Sequence, residues 1–361
     1  MRIVKIDLKN RSYQIQIGSG NLPRIAQEML RLGLRGRMLV VTNTKVGPLY
    51  GGIISTALRE QGFSVFQMEL PDGENYKTLD VAARIYDRAI EAGLDRQSSI
   101  IALGGGVVGD MAGFAAATYL RGINFIQIPT TLLAQVDASV GGKVAVNHPR
   151  GKNLIGAFYQ PRLVFIDVKT LTTLPPREIR SGLAEVIKCG VMANRSLFSY
   201  LEAHLCPDVS AGSEYWMEII EESCRIKAEV VGLDELEQDQ RAVLNLGHTI
   251  GHALEAASSY EKYRHGEAVA IGLVGAAWIA REMGLISAPE VWRIKNLLTR
   301  VGLPVDFSGI TWDELWFHMQ RDKKAQDGNI KFILPTSIGS VTGSFVDPHV
   351  IRKVVEQELM K

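Results

Sequence analysis

The first half of the chain alternates between two hydrophobic periodicities, and this alternation restricts its fold more than any other feature. Between its strand-like runs lie segments such as NLPRIAQEMLRLG and KTLDVAARIYDRAIEAG, whose apolar residues recur every three to four positions. The β-branched, strand-like runs begin at Arg37, Phe63, Ser98, Ile123 and Arg162. Strands that alternate with helices build a parallel sheet covered by helices, with ligand sites at the carboxyl ends of the strands. We therefore predict a Rossmann-like α/β domain.

The alternation of strand-like and helical runs ends at TTLPPRE, residues 172–178. An N-terminal β-hairpin is predicted around Lys9–Ser12, and a second hairpin is predicted in KFILPTSIGSVTGSF. Asp347 and Pro348 supply an N-cap and first residue for a final helix. Long helical periods follow the prolines at Gly182–His204, Tyr215–Gly232, Gly247–Ser258, Glu267–Met283 and Pro289–Gly302. We predict an α/β domain over residues 1–174 and a mainly α-helical domain over residues 175–361.

The composition excludes several classes of protein. Lys and Arg number 40 and Asp and Glu 39, so a net charge of +1 gives no overall attraction to nucleic acid or an acidic membrane. The longest apolar run, Ala268–Ala280, is about 13 residues, short of the roughly 20 that span a bilayer, and is predicted to be a buried helix. The chain has 3 cysteines and no C-x-x-C spacing, which favours a reducing, cytoplasmic location.

A glycine-rich segment, LGGGVVGD, follows the predicted strand at Ser98 and precedes a helical run. Gly104, Gly106 and Gly109 fit the pattern G-x-G-x-x-G in the strand-to-helix context that the motif requires. Backbone N–H groups at such a turn favour a pyrophosphate, although a tight packing turn gives the same pattern. No strand with an acidic residue about 20 positions on follows, so we expect phosphate binding in an unusual arrangement.

Polar residues are dense in the segment 128–158, which also contains several glycines. This pattern is typical of a loop wrapped around a polar ligand, and its lysines favour an anion over the alternative of an ordinary solvated loop. The polar residues are Thr130, Thr131, Asp137, Lys143, Asn147, His148, Lys152 and Asn153.

Three of the chain's 7 histidines lie in the segment 244–272. His248 and His252 share one helical face, and His265 begins the next predicted helix, so the three are candidate ligands of a zinc-like ion. The spacing of HTIGH resembles that of zinc proteases, but Thr249 replaces the general-base glutamate and disfavours that class. Histidines that cap helices or lie in a core remain the alternative.

Glu185 is a further candidate ligand, because it lies in the otherwise small and apolar run SGLAEVIKCG. A carboxylate in such a run is costly unless it is paired or bound to a metal. Lys188 follows three residues later on the same helical face, so a simple ion pair is an equal alternative.

Six motifs occur in order across nearly the whole chain: GGGVVGD, PTTLLAQVDASVGGKVAVNH, GKNLIGAF, SGLAEVIKCG, LNLGHTIGHALE and HGEAVAIG. Together they resemble those of the 3-dehydroquinate synthase family of sugar phosphate cyclases. The resemblance implies a lyase of the shikimate pathway of aromatic amino acid biosynthesis, which converts 3-deoxy-D-arabino-heptulosonate 7-phosphate to 3-dehydroquinate and phosphate. It also implies transient oxidation by NAD, phosphate elimination, reduction and an intramolecular aldol closure, with zinc or cobalt as the metal.

The resemblance further implies roles for individual residues. Glu185, His248 and His265 would bind the metal, and His252 would accept or relay a proton, with Lys188, Asp137, Asn245 and Glu237 completing the catalytic set. Substrate binding would fall to Arg121, Lys143, Asn153, Lys227, Arg241 and Lys323. NAD would contact Asp72, Glu74, Lys77, Gly106, Val107, Val108, Gly109, Asp110, Thr130, Thr131, Lys143, Lys152 and Thr173. In that family the arginine matched by Arg121 reaches the neighbouring subunit's site, which implies a homodimer.

One position departs from the family pattern. Members usually have glycine where this chain has Asp239, and Asp adopts a left-handed backbone less readily than Gly does. The family's placement of Glu237 and Arg241 therefore depends on Asp239 taking the place of a turn glycine.

Other functions remain to be separated from the cyclase. An NAD-dependent polyol dehydrogenase of the same superfamily has no use for two anion-binding clusters, one for phosphate and one for carboxylate. A metal- or nucleotide-binding protein without catalysis has no need of a proton relay such as His252. A sister cyclase that acts on a different sugar phosphate is the hardest alternative to separate, because a few side chains decide that choice.

Overall fold

A computed structural model describes residues 1–205, 212–321, 325–326 and 329–361. Its strands are β1 Arg2–Ile6, β2 Tyr13–Gly18, β3 Arg37–Asn43, β4 Ser64–Leu70, β5 Ser99–Gly104, β6 Asn124–Pro129, β7 Lys143–His148, β8 Gly151–Phe158, β9 Leu163–Asp167, β10 Ala325–Gln326, β11 Asn329–Ser337 and β12 Ser340–Val346. Its α-helices are α1 Ile25–Arg31, α2 Gly52–Glu60, α3 Leu79–Glu91, α4 Gly106–Thr118, α5 Pro176–Ala193, α6 Arg195–His204, α7 Ser213–Leu233, α8 His248–Ala257, α9 His265–Glu282, α10 Ala288–Arg300, α11 Trp312–Arg321 and α12 Pro348–Val354.

The described chain divides into two compact units. The first comprises residues 1–174 and 212–236, and the second comprises the described parts of 175–211 and 237–361. The predicted domains, 1–174 and 175–361, differ from these units in the assignment of α7. This helix belongs to the first unit, where Arg2 Nη1 donates to Glu221 Oε2 at 2.8 Å and Cys224 Sγ donates to the Gln135 carbonyl at 3.3 Å. Helical periodicity shows that a helix has an apolar face, but not which core that face joins.

The first unit is built on a seven-stranded sheet in the order β1-β2-β9-β6-β5-β3-β4. Only β1 and β2 pair antiparallel in this sheet, as the predicted N-terminal hairpin. The remaining pairs are parallel, which confirms the predicted α/β class. Strands β5 and β9 are buried along their whole length, as expected of parallel strands covered on both faces.

The segment 128–158 contains two β-strands where the sequence predicts a ligand-binding loop, so that prediction was wrong in this respect. Its second half forms the antiparallel hairpin β7–β8, in which Lys143 pairs with Phe158 and Val146 with Ile155. Gly156 permits the close pairing, because a Cβ there would lie 2.4 Å from the Val144 carbonyl oxygen. The glycines and polar residues that suggested a loop obscured the short apolar alternation of these strands.

The second unit combines helices with the three-stranded sheet β10-β11-β12. The predicted helix Gly182–His204 is instead two helices, α5 and α6. Asn194 has an extended backbone there and accepts a hydrogen bond from the Leu197 N–H at 2.9 Å, capping α6. The predicted hairpin is β11–β12, and the Asp347 cap accepts from the His349 N–H at 2.7 Å.

The apolar run Ala268–Ala280 lies within α9 and is buried throughout, which confirms the buried helix predicted there. Across the ranges that the structure describes, no helix combines the length and apolar character needed to span a membrane.

Candidate functional site

Glycines bring three helices of the second unit unusually close together. A Cβ at Gly266 in α9 would lie 1.9 Å from the carbonyl oxygen of Ser181 in α5. A Cβ at Gly272 would lie 1.8 Å from the carbonyl oxygen of Gly247, which precedes α8. The Gly266 N–H also donates to Ser181 Oγ at 3.1 Å. Only glycine fits at these crossings, and the close packing brings together side chains from α5, α8 and α9.

Glu185, His248 and His265 meet where these helices converge. One ligand atom from each lies within 4.8 Å of the others, as a bound metal ion requires. His265 Nε2 lies 3.6 Å from Glu185 Oε1, and His248 Nε2 lies 3.8 Å from the same oxygen. These are the same residues that the family resemblance implies as metal ligands.

The other ring nitrogen of each histidine has its own partner. His248 Nδ1 lies 3.1 Å from the Leu246 carbonyl oxygen, and His265 Nδ1 lies 3.3 Å from Glu255 Oε2. These acceptors favour a proton on Nδ1, which leaves Nε2, on the Glu185 side of each ring, as the nitrogen that could bind a metal. Metal-binding histidines characteristically have such a partner on the second nitrogen, so the set fits a divalent metal ion.

The charges around the cluster favour a cation. Glu185 is only 1% exposed and forms an ion pair with Lys188, yet within the described part of the chain neither of its oxygens has a hydrogen-bond partner of good geometry. Burial raises the pKa of the Glu185 carboxyl, but Lys188 and His265 together lower it to about 2. The predicted Glu185–Lys188 ion pair is therefore present beside the candidate metal cluster.

The two histidines have opposite pKa shifts. Burial, with the positive charge of Lys188, holds the pKa of His248 well below its usual value. Burial also lowers the pKa of His265, but the Glu185 and Glu255 carboxylates outweigh it and raise the value to about 10. The surrounding carboxylates thus favour a positive charge on His265 and not on His248.

His252 lies beside this cluster. It follows His248 by one turn of α8, its ring centroid lies 5.0 Å from that of His248 and 6.1 Å from that of His265, and its side chain is exposed. Together with Glu255 and His265 it forms a second group whose ligand atoms lie within 4.8 Å. Sequence reasoning missed Glu255, although a glutamate in the small, apolar context HALEAA was a usable signal.

The remaining candidates of the second unit lie just before α8. Arg241 is 1% exposed, and Asn245 Nδ2 lies 3.4 Å from Glu237 Oε1. Asp239 has φ −157°, so the expected left-handed strain is absent there, and Glu237, with φ 56°, is the left-handed residue instead. Lys323 lies outside the described residues.

In the first unit, the glycine-rich turn begins α4. The cap residue Gly105 has no side chain to accept the first N–H groups, and the first turn contains no acidic residue. The Thr130 N–H donates to the Gly104 carbonyl at 3.0 Å, while the buried Thr130 Oγ1 has no partner in the described ranges. A helix N-terminus whose cap residue offers no side-chain acceptor, beside a buried hydroxyl, fits the phosphates of a nucleotide. Val107, Val108 and Gly109 lie in that first turn, and Thr131 packs beside it.

A buried lysine links several predicted residues of the first unit. Lys77 Nζ donates to Asp110 Oδ2 and to Asn153 Oδ1, each at 2.5 Å. Asn147 Nδ2 donates to Glu74 Oε1 at 2.8 Å, and Asn147 Oδ1 accepts from the Asn153 N–H at 2.9 Å. Burial raises the pKa of Asp110 to about 6, even though Lys77 acts to lower it. The network fixes Asn153, whose φ of 54° is left-handed.

Asp137 and Lys227 form a second pair in this unit. Lys227 is 7% exposed, and its Nζ donates to both Asp137 Oδ1 and the Asp137 carbonyl oxygen, each at 2.6 Å. Asp137, a predicted catalytic residue, is therefore in contact with Lys227, a predicted substrate-binding residue.

The structure also places five further predicted residues of the first unit. Asp72 accepts from Asn43 and pairs with Lys45, each at 2.7 Å. Thr173 Oγ1 lies 2.7 Å from the Tyr50 hydroxyl. Arg121 and Lys143 are exposed, and Lys152 is half-buried.

Solved structures with the same fold define the class of protein. A 2-deoxy-scyllo-inosose synthase complexed with carbaglucose-6-phosphate, NAD+ and Co2+ matches with a TM-score of 0.91 and 28% identity, covering 99% of this chain and 100% of that chain. A 2-epi-5-epi-valiolone synthase from Streptomyces hygroscopicus subsp. jinggangensis, with NAD+ and Zn2+ bound, matches with a TM-score of 0.88 and 27% identity, covering 99% and 98%. The fold is thus that of sugar phosphate cyclase structures.

Sequence comparison identifies the family within that class. Profiles of the 3-dehydroquinate synthase N-terminal and C-terminal regions match residues 67–181 and 182–325. A 3-dehydroquinate synthase from Desulforamulus reducens is 51% identical over 342 residues, which cover 94% of this chain and 95% of that protein. The chain belongs to the 3-dehydroquinate synthase family, which confirms the resemblance carried by its six motifs.

Proposed function

We propose that this chain converts 3-deoxy-D-arabino-heptulosonate 7-phosphate to 3-dehydroquinate and phosphate, with NAD and a divalent metal ion as cofactors. The observation that carries the proposal is the cluster of Glu185, His248 and His265, with the exposed His252 beside it. It is supported by the family membership and by cyclase neighbours that bind NAD+ with Co2+ or Zn2+. Family membership also favours the cyclase over the polyol dehydrogenase and over a binding protein without catalysis.

Glu185, His248 and His265 would hold the metal. Zinc or cobalt in this position supplies Lewis acidity to a substrate hydroxyl, which makes that hydroxyl easier to deprotonate and oxidise. Three protein ligands would leave part of the coordination shell open to substrate oxygen atoms, as catalytic sites require. Lys188 would balance the charge of Glu185, because its ammonium lies at that carboxylate. It would also donate a hydrogen bond to the substrate.

His252 would move the proton. Its ring is exposed and lies one helical turn from His248, so it can reach a substrate atom without displacing a metal ligand. A histidine accepts and donates protons near neutral pH, which suits a relay.

The N-terminus of α4 would bind the NAD pyrophosphate. Gly106, Val107, Val108 and Gly109 would offer backbone N–H groups, and the Thr130 hydroxyl would donate or accept beside them. A bound NAD would supply reversible hydride transfer at this position, so the chain would catalyse no net oxidation. The remaining assignments to NAD are Asp72, Glu74, Lys77, Asp110, Thr131, Lys143, Lys152 and Thr173.

Basic and amide side chains would recognise the two anionic ends of the substrate. Arg121, Lys143, Asn153 and Asn245 are assigned to the phosphate, and Lys227, Arg241 and Lys323 to the carboxylate. Charge-assisted hydrogen bonds of this kind are about twice as strong as neutral ones. Asp137 and Glu237 complete the proposal by orienting Lys227 and Asn245, their respective contacts.

We also propose a cytoplasmic homodimer. Arg121 is exposed and follows Leu120 in a left-handed stretch, with φ values of 50° for Leu120 and 66° for Arg121. The exposed position of Arg121 beyond the end of α4 supports a role for its side chain in the neighbouring subunit's site.

A coupled assay tests the reaction. Purified chain is supplied with the heptulosonate phosphate, NAD and Zn2+ or Co2+, and phosphate release is followed together with absorbance at the reduced nicotinamide band. The proposal predicts stoichiometric phosphate without accumulating NADH. NADH that accumulates in step with substrate loss would identify a dehydrogenase, and Glu185→Gln serves as the control in which neither signal should appear. Sister cyclases are separated by offering a phosphorylated sugar that lacks the carboxylate, which this chain should leave unchanged.

A further inference from the structure

We propose that Glu255 is a positioning residue that holds the His265 imidazole with Nε2 directed at the metal position. The inference rests on the metal assignment made above and extends it to a residue outside the ligand set. Glu255 is 6% exposed, and its Oε2 lies 3.3 Å from His265 Nδ1, opposite the nitrogen that faces Glu185. The imidazole of His265 is therefore held between two carboxylates, one on each ring nitrogen.

Glu255 lies where burying a carboxylate costs free energy unless the charge is compensated. A buried carboxylate loses its hydration, and this residue lies in the last turn of α8, which ends at Ala257. Negative charge is disfavoured at the C-terminal end of a helix, where the carbonyl groups already carry partial negative charge. A residue at such a position needs compensating partners, and the His265 imidazole is one of them.

The two histidine ligands differ in what supports them. His248 Nδ1 lies against a backbone carbonyl, that of Leu246, whereas His265 Nδ1 lies against a carboxylate. A carbonyl orients the ring, but a carboxylate also makes the opposite nitrogen a stronger donor to a metal. Glu255 would therefore tighten the bond that His265 makes as well as fixing its direction.

The geometry also offers a competing role, in which Glu255 is itself a ligand. His252, Glu255 and His265 can present ligand atoms within 4.8 Å of one another, so a second ion could be bound there. His252 is exposed and Glu255 is buried, which favours the positioning role over a shared site. The two roles differ in the number of ions that each chain binds.

The test measures metal binding by the full chain, without reference to turnover. Stoichiometry and dissociation constants for Zn2+ are determined by chelator competition for the unmodified chain, Glu255→Gln, Glu255→Ala and Glu185→Gln. Glu261→Gln is the matched control, because Glu261 is an exposed carboxylate in the connection between α8 and α9. Circular dichroism and the melting temperature establish that each variant is folded.

The positioning role predicts one ion per chain and a graded loss of affinity. Glu255→Gln keeps an oxygen that can accept from Nδ1–H and should bind about 10-fold more weakly, whereas Glu255→Ala should lose about 100-fold. Glu261→Gln should match the unmodified chain. The visible absorption bands of the Co2+ form should shift in Glu255→Ala, since the orientation of one ligand changes, and shift less in Glu255→Gln.

Two results would overturn the role of Glu255 while leaving the metal site intact. One is a folded Glu255→Ala that binds Zn2+ as the unmodified chain does, with Glu185→Gln still deficient. The other is two ions per unmodified chain and one in Glu255→Ala, which would make Glu255 a ligand. An unmodified chain that takes up no ion would contradict the proposed metal assignment and this inference together.

Discussion

His265 Nε2 lies 3.6 Å from Glu185 Oε1, although the two residues belong to different helices, α9 and α5. The contact is possible because Gly266 allows the backbones of those helices to touch, and it is the arrangement from which the metal assignment follows. The imidazole and the carboxylate each have a strongly shifted pKa, and the two shifts have opposite signs.

Zinc uptake at pH 8 should release about one proton per chain. The pKa of His265 is about 10, so its imidazole carries a proton at pH 8 that a metal must displace. Glu185, with a pKa of about 2, is already ionised, and His248, with a lowered pKa, is already neutral. Titration calorimetry in two buffers of different ionisation enthalpy measures the number, and a binding heat that is the same in both would contradict it.

His265→Ala and His252→Ala should separate metal binding from proton transfer. The first variant removes a proposed ligand and should lose tightly bound metal. The second removes the exposed ring beside the cluster, so it should retain metal and lose turnover by about 100- to 10,000-fold, the usual contribution of a general acid or base. Metal content by mass spectrometry and rates of phosphate release give the comparison. Equal loss of metal in both variants would show that this division of roles is wrong.

Gly266→Ala should disrupt the cluster without touching any ligand. The new Cβ would lie 1.9 Å from the Ser181 carbonyl oxygen, which forces α5 and α9 apart. We expect the free energy of unfolding to fall by about 1–3 kcal/mol or more, together with weaker metal binding. Gly52→Ala is the control, because a Cβ at that helical position meets nothing within 4 Å. Denaturant unfolding with and without Zn2+ measures both effects, and a Gly266→Ala chain as stable as Gly52→Ala would refute the packing argument.

Asp110→Asn should gain stability relative to the unmodified chain as the pH rises. Burial raises the folded-state pKa of Asp110 from 3.8 to about 6, so its contribution to stability is fully present below pH 3.8 and is lost as the pH rises through 6. Asn cannot ionise, so the difference in unfolding free energy should move in its favour by at most about 3 kcal/mol between pH 4 and 7.5.

The control for this pH dependence has the opposite sign. Hydrogen bonds from Ser98 and the Gln97 N–H lower the pKa of Asp95, so its contribution is present above pH 3.8 and is lost as the pH falls. Melting temperatures of Asp110→Asn and Asp95→Asn, measured across the pH range against the unmodified chain, should therefore diverge in opposite directions. Parallel curves for the two variants would mean that burial does not control Asp110.

The sequence predicts the sheet well because parallel strands that are covered on both faces require runs such as SIIALG and LVFID, which few other structures tolerate. The six motifs carry a family resemblance that implies a shared metal for His248 and His265, and so predicts that these two residues lie close together. The sequence does not predict the β7–β8 hairpin, whose glycines and polar side chains are equally typical of loops. The division of α5 from α6 depends on the capping side chain of Asn194, a local hydrogen bond that the apolar periodicity does not reveal.

The residues that complete the candidate site are the hardest to predict. Gly266 and Gly272 are glycines inside a helix, and only the neighbouring backbone shows why no other residue fits there. Glu255 has the spacing of an ordinary helical residue, and its contact with His265 depends on how two helices pack. The roles of these three residues follow from tertiary packing and not from the local sequence pattern.

The most direct test of the central claim is the ratio of phosphate released to NAD supplied. The zinc-loaded chain is given an excess of the heptulosonate phosphate and an amount of NAD far below the amount of substrate. Because the proposed reaction returns its hydride in every turnover, all the phosphate should be released and the NAD recovered oxidised. Phosphate release that stops when it equals the NAD supplied, with NADH in the same amount, would contradict the cyclase reaction.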